Sequence, residues 1–219
     1  MCQREGLSLQ RGMNFQANGR LSIILMSRRP NAPYNDSITD NGTTLIYEGH
    51  DEPKSKNSST PKNVDQPEFL PSGRPTENGK FHRAAQDYKA KLREAEIVRV
   101  YEKLFSGVWS YNGRFHLVDS WTEHDGTRNV FKFKLHAIED DARDEFEHSP
   151  ELNHRRIIPT NVKLEVWKRD AGQCTKCGAS DELHFDHIIP YSRGGTSVTA
   201  ENVQLLCARH NLQKHDRIE

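Results

Sequence analysis

Three cysteines and one histidine near the end of the chain limit its folding more than any other feature. Cys174 and Cys177 stand as C-x-x-C, and Cys207 and His210 follow later as C-x-x-H. One such pair is a weak signal, but two in one short segment give three sulfurs and one imidazole, the donor set of a closed tetrahedral zinc site. The alternative is four unrelated side chains with coincidental spacing. A module of about sixty residues buries little core, so a structural metal would stabilise it. Cys2, in the N-terminal segment, reads as a free thiol.

The 219 residues give room for one large domain or two small ones. No run is long and apolar enough for a membrane span, and the Leu21–Met26 stretch is short and followed by Arg28 and Arg29. No secretory leader is evident, so the expected location is the cytoplasm, with no membrane partner. Lysine plus arginine equals aspartate plus glutamate, 31 each. That balance neither supports nor excludes a nucleic-acid partner, because a basic face can coexist with acidic loops.

Along the chain, residues 1–19 lack periodicity and read as a leader. Leu21–Met26 reads as a buried strand, residues 31–42 as a loop, Thr43–Tyr47 as a second strand, and residues 50–79 as a long exposed loop. Phe81, Ala84, Ala85, Tyr88 and Leu92 fall at helical spacing and predict an amphipathic helix over 81–96. Strand-like runs follow over 97–104, 114–121 and 128–138, with Asn112-Gly113 and Asp125-Gly126 as hairpin-turn signals. Trp109 and Trp121 read as core. Residues 139–158 are charged and aperiodic. Thr160 is placed to cap a helix that runs to about Asp170, and Gly172 to stop it.

Between the two metal-binding pairs lies Leu183-His184-Phe185-Asp186-His187-Ile188-Ile189-Pro190. Ser192-Arg193-Gly194-Gly195 comes next, then Glu201-Asn202-Val203-Gln204-Leu205-Leu206-Cys207, then His210-Asn211 and Lys214. This run resembles the HNH nuclease motif in its H-N-N form with cysteine knuckles, over roughly residues 160–219. The resemblance implies a ββα-metal fold that hydrolyses DNA with one divalent ion. A neutral imidazole at His187 is suited to accept a proton from water near pH 7. The resemblance assigns the catalytic ion, magnesium or manganese, to Asp186 and Asn211, both oxygen donors. It gives Asn202 the task of orienting His187 and bracing the loop between the strands. Arg193, Arg209 and Lys214 could contact phosphate or could be solvated surface charges. His184 reads as a half-buried strand histidine.

The earlier run Tyr34-Asn35-Asp36, Asp40-Asn41-Gly42 and Leu45-Ile46-Tyr47-Glu48-Gly49-His50, continued by Asp65-Gln66, Asn78 and Val98-Arg99-Val100, resembles the SRA domain, which reads modified cytosine by flipping it out of the duplex. The Trp109–Leu135 segment is similar to that domain's closing strands. The sequence departs from the family at Ala32-Pro33, where Gly-Gly is common, and at Glu48, where Thr is common. A flipped base needs aromatic faces to replace lost stacking and polar groups for its pairing edge. Tyr34 and Tyr47 could supply the first, Asp36 and Glu48 the second.

The expected fold class is α+β: a curved, mostly antiparallel, barrel-like SRA (PUA-like) sheet with one helix, then a small zinc-stapled HNH domain. The expected boundaries are 1–19 leader, 20–145 reader, 146–159 linker and 160–219 nuclease. The expected function is a modification-dependent DNA endonuclease acting on duplex DNA that carries 5-methyl- or 5-hydroxymethylcytosine. It would use structural zinc and catalytic magnesium or manganese. A homodimer is one route to a double-strand break. Two other readings stay open: an HNH endonuclease that reads sequence or shape without regard to modification, and a non-catalytic zinc-scaffolded DNA-binding module.

Overall fold

The structure is a computed structural model, and it describes residues 8–9, 11–19, 21–39, 42–52, 60–138, 157–215 and 217–218. The expectations for Cys2, Asp40 and Asn41, and for the linker over 146–156, lie outside those residues. The chain divides into two compact units. One comprises residues 1–39, 44–103 and 111–138, and the other 40–43, 104–110 and 139–219. No helix among the described residues is long and apolar enough to cross a membrane.

The first unit is built on a seven-stranded sheet. Its strands are β1 (Met13–Ala17), β2 (Leu21–Met26), β3 (Ser37–Thr39), β4 (Thr44–Glu48), β5 (Glu96–Phe105), β6 (Val108–His124) and β7 (Asn129–Ala137), in the order β1-β2-β5-β6-β7-β4-β3. The pairs β1–β2, β3–β4, β4–β7 and β6–β7 are antiparallel, while β2–β5 is parallel. Ile23, Ile24, Leu45, Val98, Val100, Leu117, Phe133 and Leu135 are fully buried, as the apolar runs require.

Helix α1 (Glu77–Lys89) packs on this sheet through Phe81, whose ring meets Phe15 edge-on at 5.2 Å and Phe133 at 5.9 Å. It starts four residues before the expected position because the Thr76 side chain accepts the Gly79 N–H, a cap that the polar first turn conceals in the sequence. It ends well before Glu96, where Ala90 leaves the helix and Lys91 takes a positive φ of 60°.

Four other expectations are corrected. Residues 13–17, inside the expected leader, form strand β1 with Met13 fully buried. The 50–79 stretch is only partly a loose loop, because Gln66 and Asn78 are buried in it. Asn112-Gly113 lies inside the long strand β6, and the turn before that strand is Ser106-Gly107. Trp109 and Trp121 are half-buried, outside the core.

The second unit holds helix α2 (Thr160–Arg169), strands β8 (Leu183–His187) and β9 (Val203–Cys207), and the short helix α3 (Ala208–Lys214). Pro159 occupies the cap position of α2, so Thr160 begins the helix without capping it. Val162 and Val166 pack with Ile158, Ala200, Val203 and Leu205 in a small core. Strands β8 and β9 form an antiparallel hairpin that sets Asp186 opposite Gln204 and His187 opposite Val203.

Candidate functional site

The metal cluster is built from two turns. Cys174 and Cys177 come from the turn after α2, and Cys207 and His210 from the junction of β9 and α3. The four donor atoms all lie within 4.8 Å of one another. His210 Nδ1 is 3.4 Å from Cys174 Sγ and 3.3 Å from Cys207 Sγ, while the sulfurs of Cys177 and Cys207 are 3.9 Å apart. A tetrahedron with Zn–S bonds of about 2.3 Å has edges of about 3.8 Å, so the donor set fits zinc in both chemistry and size. Burial pushes the Cys174 thiol up, but backbone N–H groups of Cys207, Lys176 and Cys177, with His210, outweigh it and bring its pKa down to about 6. That favours the thiolate a metal needs.

Asp186 and His187 end strand β8, and both are half-buried. Asp186 Oδ2 is buried with no hydrogen-bond partner, yet Lys214 Nζ lies 3.0 Å from it. The same ammonium donates to the His187 carbonyl at 2.7 Å. Lys214 is therefore inside the unit, with 2% of its surface exposed, whereas Arg193 and Arg209 are exposed. Asn211 sits half-buried on α3 next to His210 of the Cys3His cluster. Asp186 and Asn211 are both oxygen donors, the chemistry a hard divalent ion takes, so the residues present fit a catalytic ion at Asp186, whose solvent-shielded Oδ2 is paired with Lys214.

The Asn202 side-chain hydrogen bonds go to the loop between the strands, which they clamp: Oδ1 accepts the Ile189 N–H at 2.8 Å, and Nδ2 donates to Ile189 O at 3.1 Å and Thr196 O at 2.9 Å. Gly195 lies against this clamp, where a Cβ would stand 1.8 Å from Ile189 O and 2.8 Å from Asn202 Nδ2. The loop thus closes only with glycine there. His187 Nε2 meets the Ser197 hydroxyl at 2.7 Å. Ser197 is fully buried, and nothing in its loop spacing marks it in the sequence. His184 is half-buried on β8.

In the sheet unit, Tyr34, Asp36, Tyr47 and Glu48 are linked through a few contacts. Asp36 Oδ2 accepts the Ser27 N–H at 3.0 Å and Oδ1 the Glu48 N–H at 3.1 Å. Burial raises the Asp36 carboxyl to about 7 despite those donors. Glu48 Oε2 accepts from Asn35 N at 3.1 Å and from Lys132 Nζ at 3.0 Å, in an ion pair that is nearly closed to solvent.

His50, to which the sequence reading gives no role, holds the two tyrosines. Its ring stacks on Tyr34 with centroids 5.4 Å apart, and its Nε2 meets the Tyr47 hydroxyl at 3.1 Å. Asn78 grips the His50 backbone from both sides, accepting its N–H and donating to its carbonyl, each at 2.8 Å. The backbone of Gly12 packs against this ring, where a Cβ would lie 2.6 Å from His50 Nε2. Lys62 Nζ stands 4.2 Å from the Tyr34 ring centroid and pairs with Asp51 at 3.1 Å. Burial lowers the His50 pKa and raises those of Tyr34 and Tyr47, so all three are neutral near pH 7.

Residues 174–217 match the family model described as HNH endonuclease. Among solved structures, the chain is similar to the SRA domain of SUVH5 in a complex with hemi-methylated CG DNA. The identity is 24% over 69% of this chain and 85% of that one, with a TM-score of 0.42. The same domain bound to fully hydroxymethylated CG DNA gives 23% identity, the same coverages and a TM-score of 0.42. Arabidopsis thaliana SUVH6 in complex with SAM gives 20% identity over 83% of this chain and 28% of that one, with a TM-score of 0.38. No curated protein matches the chain.

Proposed function

We propose that the protein is a DNA endonuclease: the β8–β9–α3 segment hydrolyses a phosphodiester, and the sheet unit directs it to modified cytosine. The observation that carries the nuclease reading is the solvent-shielded Asp186 carboxylate, paired with Lys214 and next to His187, inside the segment that matches the HNH model. Zinc held by Cys174, Cys177, Cys207 and His210 fixes the start of α3 and with it Asn211. Asp186 and Asn211 would hold magnesium or manganese. That ion, when bound, supplies charge stabilisation at the phosphate and at the departing 3′ oxygen. His187 takes the proton from the attacking water, and the Asn202 clamp keeps the loop beside it closed.

Selectivity has to come from elsewhere, because contacts to phosphate carry no sequence information. The sheet unit brings together the rings of Tyr34, His50 and the buried Tyr47, with the buried acids Asp36 and Glu48 nearby, a composition suited to a flipped base. One observation favours a second reading, in which this unit reads sequence or shape. Both Asp36 oxygens already accept backbone N–H groups, and Tyr34 already stacks with His50.

Cleavage of matched plasmids decides between them. Substrates carry cytosine, 5-methylcytosine, 5-hydroxymethylcytosine or glucosylated cytosine, and each is incubated with magnesium or manganese. The expected result is cleavage that depends on modification and is abolished by His187→Ala. A modified-to-unmodified ratio near one supports the second reading. Cutting by His187→Ala at the wild-type rate removes His187 from the mechanism, and no cutting under any condition rejects the nuclease.

A further inference from the structure

We propose that His50 is an internal plug in the tyrosine cluster: its imidazole fills the slot between Tyr34 and Tyr47, and it must swing out before a flipped base can enter. The inference rests on the reading of the sheet unit as a modified-cytosine reader for what enters the slot. The ring lies between the two tyrosines because it touches both. It stacks on Tyr34 with the planes 16° apart and the centroids 5.4 Å apart, and its Nε2 is 3.1 Å from the Tyr47 hydroxyl. A flat, conjugated ring with a polar edge, stacked on one tyrosine and bonded to the other, makes the kinds of contact that a pyrimidine would make there.

The backbone that carries the plug is fixed. Asn78 holds the His50 N–H and carbonyl, each at 2.8 Å. One residue earlier, the Gly49 N–H donates to Phe131 O at 2.8 Å, and its carbonyl accepts from Gln66 Nε2 at 2.7 Å. A Cβ at Gly49 would stand 2.7 Å from both Asn78 Oδ1 and Gln66 Oε1, so this segment has no slack. Displacing the ring is therefore a rotation about side-chain torsions. Gly12 closes one way out, since even a Cβ there would lie 2.6 Å from His50 Nε2 and 2.9 Å from the Tyr47 hydroxyl oxygen. His50 is only half-buried, so the ring has a solvent side to leave by, whereas Tyr47 is buried and Tyr34 carries Lys62 Nζ over its ring at 4.2 Å. Leaving breaks one stack and one hydrogen bond. Every base that enters meets the same cost, so the plug weakens the hold on any flipped base and leaves the choice between bases to the groups around it.

The test uses the full chain, loaded with zinc, as wild type, His50→Ala and His50→Asn; the second keeps a polar side chain too short to cover the Tyr34 ring. Circular dichroism confirms that each variant is folded. Binding to labelled duplexes that carry 5-methylcytosine or only cytosine is followed by fluorescence anisotropy, without magnesium or manganese. Both variants are expected to bind the modified duplex about tenfold more tightly than the wild type. That change corresponds to about 1.4 kcal/mol, within the range for one ring stack and one hydrogen bond. A second measurement needs no DNA: free 5-methyl-2′-deoxycytidine should raise the unfolding midpoint of the variants and leave that of the wild type unchanged. Where the wild type prefers the modified duplex, weaker binding by the variants makes His50 part of the grip on the base, and weaker or unchanged binding overturns the plug. If no protein prefers modified DNA, the reader reading fails by itself, and the nucleoside still decides: a shift in the variants alone supports the plug, and equal shifts or none overturn it.

Discussion

Lys214 Nζ lies 3.0 Å from Asp186 Oδ2, so the last turn of α3 supplies a cation to the carboxylate proposed to hold the catalytic ion. The ammonium is buried and also donates to the His187 carbonyl. Lys214→Ala leaves a partly buried carboxylate without its counter-charge, a change expected to cost about 2–4 kcal/mol of stability. A divalent ion at Asp186 would replace much of that loss. Thermal unfolding with and without manganese checks this: the variant's midpoint should rise more on adding manganese than the wild type's. Equal rises in the two proteins would show that Lys214 and the metal do not share Asp186.

Cys207→Ser should release zinc and unfold the second unit, because metal binding supplies much of the folding free energy of so small a module. Cys207 belongs both to the metal cluster and to the end of β9, so its loss reaches the hairpin directly. Elemental analysis of the wild type is expected to give one zinc per chain. A metal-free preparation with an intact hairpin would contradict the assignment.

The cluster was legible in the sequence because each pair of ligands is local, and a turn of fixed length presents two donors together. Ser197 was not legible: it approaches His187 only because Asn202 and Gly195 fold the loop back, and no spacing encodes that closure. The buried positions of Gln66 and Asn78 were hidden for a different reason. Polar residues among prolines read as loop, yet both amides are buried and grip the backbone at Gly49 and His50. The Asn112-Gly113 signal misled because a long strand tolerates a positive-φ glycine, here at 100°.

Asp36 should make the sheet unit less stable as pH rises. Its pKa in the folded chain, about 7, lies above the usual carboxyl value because of burial. The folded state therefore binds more protons than the unfolded state between about pH 4 and pH 7, and stability falls as pH climbs through that window, by up to about 4 kcal/mol. His50 acts the other way: burial lowers its pKa, so its contribution grows as pH rises through the ordinary imidazole range. Comparing urea unfolding of wild type and Asp36→Asn isolates the acid. The difference between the two proteins should change with pH below about pH 7, and a pH-independent difference would refute the assignment.

Glu48 and Lys132 form a buried pair with Nζ 3.0 Å from Oε2. Lys132→Met should cost about 3–5 kcal/mol by stranding the carboxylate, while Lys132→Met with Glu48→Gln should recover much of that loss. Chemical denaturation of the two variants measures the coupling. If the double variant is no better than the single one, the pair is not the source of the cost.

Strand β4, which carries Tyr47 and Glu48, lies between the three-residue β3 and β7 in the sheet. Strand β2 likewise waits for the distant β5 to cover its second edge. During synthesis, every residue of the tyrosine cluster leaves the ribosome long before the strand that secures it. Such long-range pairing is slow to form and exposes strand edges in the interval. The cluster of Tyr34, Tyr47 and His50 is therefore among the last parts of the first unit to be completed, and chain released before Ala137 carries these residues without the strand that holds them in place.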